Sequence, residues 1–588
     1  MIQKVTFSIL VVALMTTNQV WTQSPSMVQN VNPNGDGFAE YITGVGSDVF
    51  FRATNASFGS ELWKYNGDTA VVVDIIAGDG SSNPVELTAL GAKLLFSAND
   101  NINGRELWIY NGDSVDMVKD IYPGSTGASP EELTVYNNEV YFRAKDGSKG
   151  SELWKYDGNT AVMVADINSG FGSSLPLGLK VVGSFLYFMA DDGIHGRELF
   201  RYDGDSAILV QDINDGFGTS LDPDAYFTGF GADLYFAATD GVNGKELWKY
   251  DGDTAVLVHN INPLGDANPE HLIALDTILY FTANDSINGS ELWRYDGETL
   301  EVVEDINPGP DSSDPSRLTI FNSELYFAAH DGVNPLTLWK TDGDTAFVVA
   351  SDPSDFSDPN FMTVFQDKLY FTVNTMAQGL DLVEFDGNTL THLDLHPGPN
   401  PSAATNFAVL GCNLYFEARD NDANGKELWV LPGSNNNVTQ DGNQLTAQAI
   451  GVAYQWFNCN TNQPVAGATG RSFVPNQNGT YAVEITQPGC TVMSACFNVT
   501  VVGLEDEFEN AIKVFPTIAE NKTTIDLGKR YQEVLVIVRN LNGQVISRIN
   551  PQQAIKRLEI ELPKSKGLYF IEIEAESIQP TRFKVIRK

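Results

Sequence analysis

The chain has 588 residues and a formal charge of −40, with 36 lysines and arginines against 76 aspartates and glutamates. That balance excludes nucleic acid and anionic membrane as partners, because a phosphate array needs a basic footprint. A hydrophobic content of 42% with 11% aromatics excludes the fibrous and disordered classes, and the length exceeds one ordinary domain unless that domain is a repeat array.

The N-terminus reads as a secretory signal over residues 1–22. Lys4 supplies the charge, residues 5–15 form a short apolar core, and small or polar residues follow up to Gln23. No later stretch is apolar for long enough to make a transmembrane helix.

From residue 23 to 433 one phrase recurs. Glu152-Leu153-Trp154-Lys155-Tyr156-Asp157-Gly158 has close copies at Glu61-Leu62-Trp63, Glu106-Leu107-Trp108, Glu246-Leu247-Trp248, Glu291-Leu292-Trp293 and Glu427-Leu428-Trp429. Degenerate copies stand at Glu198-Leu199-Phe200, Thr337-Leu338-Trp339 and Asp381-Leu382-Val383. The aromatic positions (Val383 included) lie 44 to 48 residues apart. Each repeat holds four short runs of β-branched and aromatic residues, such as 177–182, 186–190, 198–202 and 208–213, separated by Gly, Asp, Asn, Ser and Pro. Four strands in about 45 residues make a propeller blade. Runs apolar on both faces suit blades packed between two neighbours.

The turns repeat as well. Asp192-Gly193-Ile194-His195-Gly196 joins the second run to the third. Asp203-Gly204 joins the third to the fourth, where positive backbone angles are needed. The last repeat lacks a fourth run after residues 427–431, while Met27-Val28-Gln29-Asn30-Val31-Asn32 matches the fourth-run phrase Leu209-Val210-Gln211-Asp212-Ile213-Asn214. The first strand is therefore expected to complete the last blade and remove two open edges. This gives about nine four-stranded repeats, above the usual range of about 4–8, and the degenerate copy near 369–394 leaves eight as the alternative. The ELWKYDG and LYF-x-A-x-DG phrases resemble the ELWxxDG-repeat proteins of secreted bacterial chains. The resemblance implies a propeller-like array and no common activity.

After Gly433 comes a polar, Asn-rich linker, then short strands around Tyr454-Gln455-Trp456 and Gly479-Thr480-Tyr481. Residues 434–503 resemble the small Ig-like modules of Bacteroidota, with Trp456 as the core residue, and read as a spacer. Residues 504–588 form the last segment. From 510 on, lysine and arginine outnumber aspartate and glutamate, and Val514-Phe515-Pro516, Thr524-Ile525-Asp526-Leu527 and Lys566-Gly567-Leu568-Tyr569-Phe570 read as strands with Gly turns. This segment is similar to the type A C-terminal sorting domain of the type IX secretion system, although Pro516-Thr517 stands where that family reads Pro-Asn-Pro. The resemblance implies export by the type IX machinery through residues 510–588, removal of this domain, and release or attachment to surface lipopolysaccharide. The fold class is thus all-β: a multi-bladed β-propeller followed by two small β-sandwich domains.

Of four cysteines, Cys459, Cys490 and Cys496 cluster and Cys412 stands apart. Three connectivities exist. A pair within the cluster is expected, with Cys412 left as a buried free thiol.

Chemistry is sparse. His195, His259, His271, His330, His392 and His396 are scattered over repeat positions, and neither H-E-x-x-H nor G-x-S-x-G occurs. The Glu before Leu-Trp is expected to accept a hydrogen bond from a turn amide, the alternative being a ring of ligands lining the channel. In Asp420-Asn421-Asp422-Ala423-Asn424-Gly425, oxygen side chains alternate before a glycine, as at the opening of a calcium loop. This makes Asp420, Asp422 and Asn424 candidate Ca²⁺ ligands against a plain turn. Asp68-Thr69-Ala70 and its copies resemble the Bacteroidota O-glycosylation motif. The sequence points to a secreted or surface-attached module that binds extracellular glycan or protein. A polysaccharide-degrading enzyme and a structural surface-layer component are the alternatives.

Overall fold

The computed structural model describes residues 24–223, 226–349, 357–375, 379–396, 400–420, 424–433, 436–449, 452–487, 490–500, 512–575 and 578–588. The expected signal sequence and Asp422 lie outside them. The described chain is strand and turn throughout. It forms two compact units, the first being Met1–Asn437 with Ala447–Gln455 and Val483–Ala495, the second Val438–Thr446, Trp456–Ala482 and Cys496–Lys588.

The first unit contains nine four-stranded antiparallel sheets among the described residues. Eight are consecutive in sequence: sheet 1 (40–73), sheet 2 (85–119), sheet 3 (131–165), sheet 4 (177–211), sheet 5 (227–259), sheet 6 (270–304), sheet 7 (316–348) and sheet 8 (357–393). Sheet 9 takes three strands from 405–432 and its fourth from Ser26–Gln29. That strand runs antiparallel to Glu427–Pro432, with Ser26 opposite Val430 and Met27 opposite Trp429.

The Leu-Tyr-Phe phrase explains the stacking. Successive side chains of a strand point to opposite faces. Leu186 and Phe188 therefore pack with Tyr141 and Leu153 of sheet 3, while Tyr187 and Met189 pack with Leu234 and Phe236 of sheet 5. The pattern continues round to Tyr415 and Leu428 of sheet 9, which pack with Phe51 and Trp63 of sheet 1. Every one of the nine sheets shares an apolar core with both neighbours. An open stack would leave two apolar outer faces in water, so the sheets close into a ring, the β-propeller arrangement.

First strands lie against first strands all the way round, which makes them innermost. Threonine side chains tie them together: Thr43 Oγ1 donates to Leu87 O (3.2 Å) and Thr228 Oγ1 to Leu272 O (2.9 Å).

In the stretch after the ring, Trp456 is fully buried, donates from Nε1 to Gly470 O (2.9 Å) and stacks on Phe473. Residues 513–587 form a three-stranded and a five-stranded sheet around Ile525, Leu527, Val536, Val538, Ile571, Ile573 and Val585.

The cysteines correct one expectation. Cys412 is no free thiol: it is bonded to Cys490, and Cys459 is bonded to Cys496. The physical reason is that Cys412 sits in the short turn between strands Thr405–Leu410 and Asn413–Ala418, outside the intersheet cores. The chain brings Cys490 to that turn across 78 residues, a distance that spacing cannot reveal.

Candidate functional site

The repeated glutamates are structural. Glu61, Glu106, Glu152, Glu198, Glu246, Glu291 and Glu427 are fully buried at the head of their third strands. Glu291 shows the pattern. Its carboxylate accepts from Ile306 N (3.2 Å), Ser313 N (3.0 Å) and Ser313 Oγ (2.5 Å), and so clamps both ends of the connector to the next sheet. Glu61 and Glu152 repeat it. Glu427 does the same across the seam, accepting from Val31 N (3.1 Å) and Asn32 N (3.2 Å), so the N-terminal segment occupies the place of a connector. Burial pushes these carboxyls up, in Glu198, Glu291 and Glu427 to about 7. Each accepts from at least one main-chain amide, joined by a serine hydroxyl at Glu61, Glu152, Glu198 and Glu291, which is the first of the two expected roles.

The turns fall at two ends of the ring. One end carries the loops between second and third strands together with the sheet-to-sheet connectors, and is called here the connector end. Asp240 illustrates its loops: Oδ1 accepts from Val242 N (2.9 Å) and Asn243 N (2.7 Å), and Oδ2 from Asn243 Nδ2 (2.7 Å). The other, hairpin end carries the Asp-Gly turns. There Asp251 Oδ1 accepts from Asp253 N and Thr254 N (both 2.9 Å). The third-strand tyrosine closes the turn, as Tyr295 OH does by donating to Gly297 O (2.7 Å). Thr69 and its hydroxyl-bearing counterparts are exposed at this end.

Of the expected calcium ligands, Asn424 Nδ2 donates to Asp420 Oδ1 (3.0 Å) and Asn424 Oδ1 accepts from Asn30 Nδ2 (3.2 Å). Among the described residues no group of three or more His, Cys, Asp or Glu is arranged to hold a metal ion. Asp420 and Asn424 would hold calcium only together with Asp422.

What the repeat pattern did not expose is the innermost strand. In every sheet but sheet 5 this strand opens with a bulge that puts a residue in the left-handed region. Non-glycine residues occupy this place in seven sheets: Tyr41 (φ 54°), Glu86 (59°), Glu132 (63°), His271 (55°), Arg317 (57°), Phe361 (55°) and Asn406 (57°). Such angles cost energy in residues with a Cβ and gather where side chains must be aimed. The backbone repeats here, but the side chains do not. Glu86 Oε2 accepts from Leu133 N (3.2 Å) and Glu132 Oε2 from Gly178 N (3.0 Å). Burial pushes the Glu86 carboxyl up, and the carboxylates of Glu132 and Glu131 add to it. Farther round, Tyr226 lies 5.3 Å from the His271 ring, and Arg317 pairs with Asp358 at 3.1 Å. Burial holds His271 below its ordinary value, and Arg317 acts in the same direction. The axis is thus bordered by Tyr41, Glu86 and Glu132 on sheets 1–3, where Arg52 pairs with Glu40 and Arg143 with Glu131, and by Tyr226, His271, Arg317 and Phe361 on sheets 5–8. A sequence signal for it exists: the residue that differs most from copy to copy inside an otherwise repeated phrase.

Closed sheets, an inner lining of unlike side chains and an export tail define a secreted or cell-surface β-propeller. Residues 513–587 match the secretion system C-terminal sorting domain family, so the chain carries a type IX sorting domain. No helix among the described residues is long and apolar enough to cross a membrane. No curated protein matches the chain. Among solved structures, a prolyl endopeptidase is similar at 12% identity over 59% of this chain and 56% of its own, with a TM-score of 0.32. Sqt1 of Saccharomyces cerevisiae is similar at 12% over 58% and 93%, TM-score 0.33. The GH74 xyloglucanase of Xanthomonas campestris is similar at 11% over 82% and 81%, TM-score 0.26. The match spans little more than half the length of the endopeptidase.

Proposed function

We infer that this is an extracellular binding module for glycan or protein, displayed or released after type IX export. The observation that supports it is the inner-strand lining. Tyr41, Tyr226 and Phe361 offer ring faces, while Glu86, Glu132, His271 and Arg317 offer donors and acceptors of both charges. Aromatic faces beside planar polar groups are the equipment of glycan recognition. Residues 1–22 act as the signal and 434–503 as an Ig-like spacer.

The test is binding of the purified full chain to a polysaccharide panel, with calcium and with chelator. Saturable binding to one class, weakened at least tenfold in Arg317→Ala, is the expected result. Binding unchanged in that variant and in Tyr226→Ala removes the inner strands from the account. Loss of binding in chelator favours a Ca²⁺ in the Asp420, Asp422 and Asn424 loop over a plain turn.

A second reading, polysaccharide cleavage, draws on Glu86, a carboxyl with a raised pKa beside two other carboxylates. It requires product release that stops in Glu86→Gln. A surface-layer role instead requires self-association without any ligand. Asp68-Thr69-Ala70 and its copies serve as O-glycosylation sites in this reading, and an intact mass equal to that of the bare chain removes them from it.

A further inference from the structure

The connector end of the ring carries an apolar band that the fold does not require. The tip of each loop between second and third strands touches no core, and the same holds for the tip of each connector. Yet from the connector after sheet 3 to the loop of sheet 7 these tips are apolar: Phe171, Ile194, Phe217, Val242, Leu264, Ile287 and Val333 are 60–89% exposed, with the exposed Pro310 on the connector between the last two. Among the described residues the equivalent tips elsewhere are Asn34, Ser57, Asp79, Ser125 and Ser148, with Ile102 an exception.

The band is continuous because loops and connectors interlock. A Cβ on Gly193 would meet Asn168 Oδ1 of the Phe171 connector at 2.8 Å, and one on Gly196 would meet Phe217 O at 3.0 Å. A Cβ on Gly241 would meet Asn214 Oδ1 of the Phe217 connector at 2.6 Å, and one on Gly244 would meet Gly265 C at 2.9 Å. Ser286 Oγ donates to Asn262 Oδ1 (2.8 Å), joining the Ile287 loop to the Leu264 connector. Side chains of this kind, left in water on one contiguous stretch, mark an interaction surface.

The charge around the band selects the partner. Asp215 and Asp266 are exposed on the connectors that carry Phe217 and Leu264, and Asp311 and Asp314 on the connector between the Ile287 and Val333 loops. No lysine or arginine occurs in residues 166–176, 212–226, 260–269 or 305–315. We propose that this crescent docks a polypeptide segment in which lysine or arginine alternates with apolar side chains. Its apolar residues would lie on the tips and its cations against the flanking aspartates. The proposal goes beyond the reading of the inner strands as a glycan site and uses none of their residues, so loss of glycan binding leaves it standing.

The test uses the full exported chain and three synthetic 16-residue peptides: one of mixed lysine and leucine, one with glutamine in place of lysine, and one with serine in place of leucine. Phosphatidylcholine vesicles form a fourth arm. The lysine–leucine peptide should bind saturably, less tightly as salt rises, and at least tenfold more tightly than the other two. Combined Phe171→Ser, Phe217→Ser and Leu264→Ser should weaken it at least tenfold with an unchanged unfolding midpoint, while Ile102→Ser leaves it as it was. Asp215→Lys with Asp311→Lys, which keeps the apolar tips, should weaken it as well. Equal binding by wild type and triple variant, or by the glutamine peptide, overturns the proposal. So does an absence of binding, or vesicle binding that the triple variant abolishes, which would make the face a lipid surface.

Discussion

The two ends of the ring are built from the same repeat and have diverged in opposite ways. At the hairpin end the Asp-Gly turns are nearly identical from sheet to sheet. Each closes on itself through an aspartate or asparagine oxygen and, in most sheets, a tyrosine hydroxyl. There the side chains are the fastening, so they cannot change freely. At the connector end a buried glutamate fastens each connector, and an aspartate oxygen each neighbouring loop, by accepting from main-chain amides. Amides are the same in every residue, so the tips are free to become phenylalanine, leucine, serine or aspartate. The lesson is that a residue whose side chain fastens a loop repeats, whereas a tip that contributes only its main chain can vary.

This contrast can be broken most severely at the clamp. Glu291→Ala leaves Ile306 N, Ser313 N and Ser313 Oγ without their acceptor. It should cost about 3–5 kcal/mol in urea unfolding, and a loss under 1 kcal/mol would refute the clamp. Next comes Cys412→Ser, which opens the Cys412–Cys490 bond and should cost about 2–4 kcal/mol. The clamp also predicts a pH dependence. Glu198, Glu291 and Glu427 titrate at about 7 in the folded ring, above their unfolded value of about 4.3. The folded chain therefore binds more protons between those values. Stability should be greatest below that window and fall as pH rises through it to about 7, so the thermal midpoint at pH 5 should exceed that at pH 8. Glu291→Gln should flatten part of that slope. At the hairpin end, Tyr295→Phe removes one hydrogen bond to Gly297 O and should cost about 0.5–1.5 kcal/mol. Smallest of all, Phe217→Ser should change stability by no more than about 0.5 kcal/mol, because the side chain is 84% exposed.

Much of the ring was legible because its residues serve packing and turns, which repeat. The four-run phrase, the Asp-Gly punctuation and the role of the glutamate before Leu-Trp follow from period and alternation. Even the pairing of Ser26–Gln29 with Glu427–Pro432 followed from one phrase found at the wrong end of the array. The Cys412–Cys490 bond was not legible, since 78 residues separate its partners. The inner lining was missed for a different reason. Its signal is departure from the repeat at Tyr41, Glu86, Glu132, His271, Arg317, Phe361 and Asn406, and a search for likeness discards such positions as noise. The band of Phe171 to Val333 shares that property.

The seam in sheet 9 has a consequence during synthesis. Its fourth strand is among the earliest stretches to leave the ribosome and its third among the last of the array. Until Glu427 is made, Val31 and Asn32 have no carboxylate to meet, and the stack of sheets keeps two raw edges. A chain cut short anywhere in the array can fold many of its sheets but cannot lock. Closure of the ring therefore waits on the complete array.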